Sequence, residues 1–118
     1  MRYVESYQHQ NRIGVLVELE TPDLITLRCK EFKDFALDLS LQIAAFDPDA
    51  SDNYKSANLV HIHREEVNRN DDHIRSLLKQ AWIKDQDTTV EDVLTSLENL
   101  LKTTIRIVRF TRYSTNDT

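Results

Sequence analysis

T-I-R-I-V-R-F-T-R-Y, residues Thr104–Tyr113, is the stretch on which the fold turns. β-Branched and aromatic residues dominate it and neither Gly nor Pro interrupts it, which suits a pleated, packed surface. Alternation assigns Ile105, Ile107, Arg109, Thr111 and Tyr113 to one face, and Arg106, Val108, Phe110 and Arg112 to the other. Both faces mix apolar side chains with arginine, so the strand needs cover on both sides. A helix of the same chain is the expected cover on one side, and a partner on the other.

The residues before the strand supply a helix. Thr88 or Thr89 caps a segment ending near Lys102, whose core face is Val90, Val93, Leu94, Leu97, Leu100 and Leu101. Glu91 and Asp92 lie in its first turn, where the helix dipole favours anions. A second stripe is longer. Phe32, Phe35, Ala36, Leu39, Ile43 and Phe46 fall at offsets of 0, 3, 4, 7, 11 and 14, one continuous helical face. Leu37 and Leu41 form a smaller patch beside it, and Asp47-Pro48-Asp49 stops the helix.

Nearer the start, Tyr3–Tyr7 and Arg12–Leu19 read as strands joined over Gln8–Asn11, a link of hairpin length. The second strand turns Ile13, Val15, Val17 and Leu19 to one side, with Leu16 an apolar exception on the other. Gly14, the single glycine, marks a bulge or a close backbone approach. Ala81–Lys84 reads as an extended connector anchored by Trp82 and Ile83. The pattern is one domain over residues 1–118, with strands at about 3–7, 12–19 and 104–113 and helices at about 31–46, 59–69, 72–80 and 89–102.

A chain of 118 residues is long enough for one modest core. Fifteen basic residues against twenty acidic ones give a net charge of −5, which argues against nucleic acid as the main partner. The charge is too mixed for a membrane surface, and no apolar run reaches the length of a spanning helix or forms a signal core. One cysteine, Cys29, makes no internal disulfide framework and fits a reducing compartment. A soluble, intracellular domain is expected.

The search for chemistry is mostly negative. His61-x-His63 has metal-ligand spacing on a strand, but the stretch reads helical, where residues two apart diverge by about half a turn. Surface histidines are the expectation, with a metal site through His73 the weakest alternative. Cys29, between Arg28 and Lys30, reads as a half-buried thiol at a helix start. One glycine builds no phosphate loop, and no carboxylate pair stands out among twenty acids. No enzyme activity, cofactor or metal is expected. Arg106 and Arg112 share a face that Arg109 does not, so a solvated flank or intramolecular ion pairing is favoured over an RNA patch.

Four stretches, in order, resemble elongation factor Ts of bacteria and organelles. Tyr7-Gln8-His9-Gln10-Asn11-Arg12-Ile13-Gly14-Val15-Leu16-Val17 is similar to that family's tyrosine–histidine hairpin and R-[IV]-G-V-L-V. Phe35-Ala36-Leu37-Asp38-Leu39-Ser40-Leu41-Gln42-Ile43-Ala44 with Asp47-Pro48 resembles its central helix, L-A-x-D-L-A-x-H-I-A followed by Asn-Pro or Lys-Pro. Gln80-Ala81-Trp82-Ile83-Lys84-Asp85 and Thr89-Val90-Glu91-Asp92-Val93-Leu94 resemble Q-P-F-[VI]-K-D and T-V-x-[DE]-L-L. Val108-Arg109-Phe110-Thr111-Arg112-Tyr113 resembles the closing V-x-R-F-x-R-[FY].

The resemblance implies an α+β fold, a three-stranded antiparallel sheet with helices packed on one face. It implies elongation factor Tu as partner, with release of GDP from that GTPase, in the cytoplasm or an organellar matrix. It also implies a homodimer made through the sheets, with Leu16, Val108 and Phe110 as the dimer face. Departures qualify the activity. The N-terminal helical module is expected to be absent, because the core pattern starts at residue 3, and the segment between Pro48 and Gln80 is short. The exchange motif T-D-F-V falls near Thr21-Pro22-Asp23-Leu24-Ile25, where a proline intervenes and phenylalanine is missing; Gln42 replaces the helix histidine. Asp23, Leu24, Ile25 and Gln42 are therefore the expected partner-binding residues of a protein whose exchange activity is weakened or lost. The alternative is a homo-oligomeric scaffold or regulator that kept only the dimerisation module.

Overall fold

The computed structural model describes residues 1–49 and 66–115, with side chains from residue 72 onward in the second stretch. In chain order the elements are β1 (Arg2–His9), β2 (Ile13–Glu20), α1 (Leu24–Arg28), α2 (Lys30–Ala45), α3 (Glu66–Lys79), β3 (Ala81–Trp82), β4 (Asp85–Thr89), α4 (Val90–Leu101) and β5 (Arg106–Ser114). The fold is α+β. An antiparallel sheet of order β1-β2-β5 carries the helices on one side, and β3 and β4 form a small hairpin between α3 and α4. Among the described residues no helix is long and apolar enough to cross a membrane.

The hairpin that starts the sheet is tight. Gln10 and Asn11 both take left-handed backbone, with φ of 53° and 59°, and Arg12 N–H donates to the His9 carbonyl at 2.9 Å. Three residues, Gln10–Arg12, thus join the strands, and His9 stands opposite Ile13. Every β2 residue then has its side. Val15, Val17 and Leu19 are at most 2% exposed and meet Phe32, Phe35, Ala36, Leu39 and Ile43 of α2 in one core, as the helical stripe predicts. Tyr3 adds an edge-on contact to Phe32 at 5.2 Å, and Phe35 stacks on Trp82 at 6.0 Å.

Four expectations change. Phe46 is 44% exposed because α2 ends one residue earlier, and the connector at Ala81–Lys84 is part of the β3–β4 hairpin. Leu100 is 64% exposed, since ten residues after Val90 it is rotated by about 80° from the buried line. Between residues 66 and 79 the backbone is one helix; Asn70, Asp71 and Asp72 are weak helix formers, but only Gly or Pro would be a strong breaker. Residues 59–65, with His61 and His63, lie outside the described residues.

α4 starts as its sequence predicts. Thr89 Oγ1 accepts from Asp92 N–H and Asp92 Oδ2 accepts from Thr89 N–H, each at 3.1 Å, a reciprocal capping box.

The largest correction concerns β5. Opposite the Glu18–Leu19 step the register shifts, with Glu18 facing Arg109 and Leu19 facing Ile107, so Val108 is the extra residue of a β-bulge. Strict alternation fails there. Ile105 and Ile107 point into the core, and beyond the bulge Phe110 and Arg112 do so too, opposite Val17 and Val15. Arg106, Arg109, Thr111 and Tyr113 share the outer face.

Candidate functional site

The turn Thr21–Asp23 leads from β2 into α1. Thr21 is buried and exchanges backbone hydrogen bonds with Met1, so the start of the turn is pinned to β1. Asp23 stands at the helix N-cap without a side-chain capping bond. Within α1 the apolar residues divide: Leu27 packs against the core, whereas Leu24 is 45% and Ile25 is 83% exposed. Ile25 is the most exposed large apolar side chain among the described residues. Asp23, Leu24 and Ile25 thus form one projecting corner.

Gln42 is not part of it. It is fully buried on α2, where its Nε2 donates to Gln80 Oε1 at 2.9 Å and to the Ala81 carbonyl at 3.0 Å, and its Oε1 accepts from Ile83 N–H at 2.7 Å. Gln80 in turn donates to the Phe46 carbonyl at 2.9 Å. These bonds fasten the β3–β4 hairpin to α2, and a side chain so placed is a brace rather than a contact residue. Sequence pattern alone misses this, because a glutamine three positions from Leu39 reads as the polar edge of the stripe.

Nor do Leu16, Val108 and Phe110 make one face. Phe110 is turned to the helix side by the bulge, with its ring edge-on to His73 at 6.0 Å, while Leu16 stands on the outer side, opposite Thr111. His73 also meets the Asp49 carboxylate through Nδ1. Arg112, on the helix side as well, donates to the Ile43 and Ala44 carbonyls at 2.9 Å each and lies 3.4 Å from Asp47. It satisfies the last turn of α2, whose carbonyls have no partner within the helix. The strand signature is in this part structural.

The outer face has two zones. Val4 (59%), Leu16 (49%) and Tyr113 (76%) are exposed apolar residues on three adjacent strands. A depression of about 390 Å³ is lined by Val4, Leu16, Glu18, Arg109, Thr111 and an edge of Phe110. At Glu18 and Arg109 an ionic band begins. Glu18 is 2.7 Å from Arg109 and 3.2 Å from Arg2; Glu20 is 2.7 Å from Arg106 and 3.3 Å from Arg2. The hydrogen bond from Arg109, then that from Arg2, holds the Glu18 carboxyl below its ordinary range against partial desolvation. Arg106 does the same for Glu20, and Glu18 raises the Arg2 guanidinium in return. Arg106 and Arg109 are therefore ion-paired within the chain, as favoured over an RNA patch.

Cys29 is the N-cap of α2 and half-buried. Among the described residues no group of three or more His, Cys, Asp or Glu is placed to hold a metal ion.

No protein-family model matches the chain. Individual proteins do. An elongation factor Ts of Alkaliphilus oremlandii is 32% identical over 136 aligned positions, covering 97% of this chain and 63% of that protein. One of Borrelia garinii subsp. bavariensis is 30% identical over 132 positions, covering 92% of this chain and 47% of its own length. The chloroplastic polyprotein of EF-Ts from rice is 27% identical across 94% of this chain and 12% of itself. The chain thus spans about half to two thirds of the bacterial relatives it matches. The aligned lengths exceed its 118 residues, so these relatives carry residues within the matched region that it lacks. With the α+β fold and four motifs in order, the chain is a diverged, elongation-factor-Ts-like protein.

Proposed function

We propose that the chain acts in translation elongation by binding elongation factor Tu, as a binding protein rather than an enzyme, with guanine-nucleotide exchange weakened or lost. The observation that carries this is the corner Asp23–Leu24–Ile25, where the family resemblance puts the exchange motif. Fully burying one aliphatic side chain is favourable by about 1.5–3 kcal/mol. Leu24 and Ile25 left in solvent while Leu27 is packed inside support reading this corner as a contact surface. Exchange requires more than contact. The missing phenylalanine removes the group expected to displace part of the nucleotide site, and aliphatic side chains behind Pro22 are poorer wedges. No cofactor enters this reading, and the cytoplasm or an organellar matrix is where such a partner works.

A second copy of the chain is the proposed cover of the outer sheet face. Three arginines against two glutamates leave this face at +1, while the whole chain carries −5. Two copies therefore meet little charge repulsion here, and the apolar zone with its ion-paired border has the anatomy of an interface.

The test uses elongation factor Tu loaded with a fluorescent GDP analogue. Co-elution, with release of the analogue accelerated little or not at all, is the expected result, and Ile25→Asp should abolish the co-elution. Failure of the unaltered protein to co-elute would sink the binding claim. Full acceleration would sink the claim of weakened exchange.

A further inference from the structure

Gly14 is the single glycine of the chain and lies inside β2, on the outer face. Among the described residues nothing requires it. Gly14 does not have positive φ, and a Cβ built there meets no atom of the described residues within 4 Å. Neither strained backbone nor a close approach among the described residues explains a residue that weakens strands. Gly14 also does not mark the bulge, which is at Val108. Its cross-strand neighbour Tyr113 could lie over it, as aromatic residues do beside strand glycines, yet Tyr113 is 76% exposed and leaves it open. The result is a depression of about 360 Å³ bordered by Ser6, Gln8, Leu16, Thr111 and Tyr113 with Gly14 in its floor.

We propose that Gly14 is a notch of the interface between two copies of this chain. Its missing side chain lets an apolar side chain from the same face of the second copy reach the β2 backbone. Stacked sheets lie about 10 Å apart, and a branched side chain at this position would hold them further off. The inference rests on the reading that a second copy covers the face, and goes beyond it by naming the residue that sets the fit.

Gly14→Val separates the two, because its effects on folding and on association have opposite signs. In an open strand position valine raises the stability of the isolated chain, read as a higher urea midpoint at a dilution where sedimentation shows monomers. In the interface it overpacks, and the dissociation constant measured by sedimentation equilibrium rises by about tenfold or more. Gly14→Ala does both to a smaller extent. A wild-type chain that stays monomeric at all concentrations overturns the dimer reading and the notch with it. A dimer whose dissociation constant ignores Gly14→Val overturns the notch alone. Loss of folding in Gly14→Val, with Gly14→Ala less stable than wild type, also overturns it, since glycine would then serve the fold.

Discussion

On the helix side of β2, Val15, Val17 and Leu19 are at most 2% exposed; on the other side of the same strand Leu16 is 49% exposed. The strands are shared, the apolar residue types are shared, and only the neighbours differ. The inner face meets α2 through Phe32, Leu39 and Ile43, all fully buried. The outer face presents Val4, Leu16 and Tyr113 to solvent and surrounds one end of them with ion pairs complete within the chain. A surface whose charges are nearly all paired within the chain offers little to a charged partner but tolerates an apolar one. The contrast teaches that one sheet carries folding on one side and leaves the other free for the contact proposed above.

The sharpest way to break this contrast is to truncate one leucine on each side. Leu39→Ala removes a fully buried side chain among Phe35, Ile43 and the β2 valines, and should lower stability by about 2–5 kcal/mol. Leu16→Ala should change it by less than about 0.5 kcal/mol under conditions where the chain is monomeric. Urea unfolding of both variants provides the comparison. Similar losses would mean that the outer face is core after all.

Much of the inner face was legible. The offsets from Phe32 to Ile43 and the alternation from Ile13 to Leu19 each follow one period, and each bears out at the helix–sheet contact. Thr89 with Asp92 three residues on is a capping signal that local chemistry completes. What failed depends on neighbours the period does not contain. The bulge at Val108 carries no glycine to announce it; the Leu19–Ile107 and Glu18–Arg109 pairings create it together, and everything after it changes sides. Strict alternation therefore groups Phe110 with Leu16, whereas the bulge turns Phe110 to the helix side and lets Arg112 cap α2. Gln42 is a tertiary fact as well, since its three hydrogen bonds reach residues 38 to 41 positions away. Of the candidate site, Asp23, Leu24 and Ile25 form a surface corner, but their exposure could not be read from sequence: L-I-T-L gives no hint which residues turn inward.

A smaller effect probes the ionic border. Glu18 and Glu20 have carboxyls held below their ordinary range in the folded chain, chiefly by Arg109 and Arg106. A lowered folded-state value means that the contribution to stability is fully present above the ordinary glutamate range. It is lost as pH falls through the depressed values. Replacing both residues by glutamine should therefore reduce stability at neutral pH and flatten its decline on acidification, so that the variants converge with wild type in acid. The arginines are half or more exposed, so added salt should shrink the difference. A variant whose acid slope equals that of wild type would show that these pairs orient the border without stabilising the fold. The contrast between faces would then rest on apolar contacts alone.

The smallest effect lies at the turn that sets which side of β2 is which. The loop is three residues, Gln10–Arg12, with His9 paired to Ile13, and a slip by one position would send Val15, Val17 and Leu19 outward. Gln10 holds φ at 53°, a conformation that is unfavourable by about 1–2 kcal/mol for most side chains. Glycine removes that strain but loses about 0.5–1 kcal/mol more backbone freedom on folding. Gln10→Gly should accordingly stabilise the chain by about 0.5 kcal/mol, seen as a small rise in the urea midpoint. Asn11→Gly should gain less, because asparagine tolerates the left-handed region. A loss of stability at Gln10→Gly would mean that the glutamine side chain itself holds the turn. A gain leaves register as the work of the backbone, with the buried and the open face of the sheet both decided by two left-handed residues at its tip.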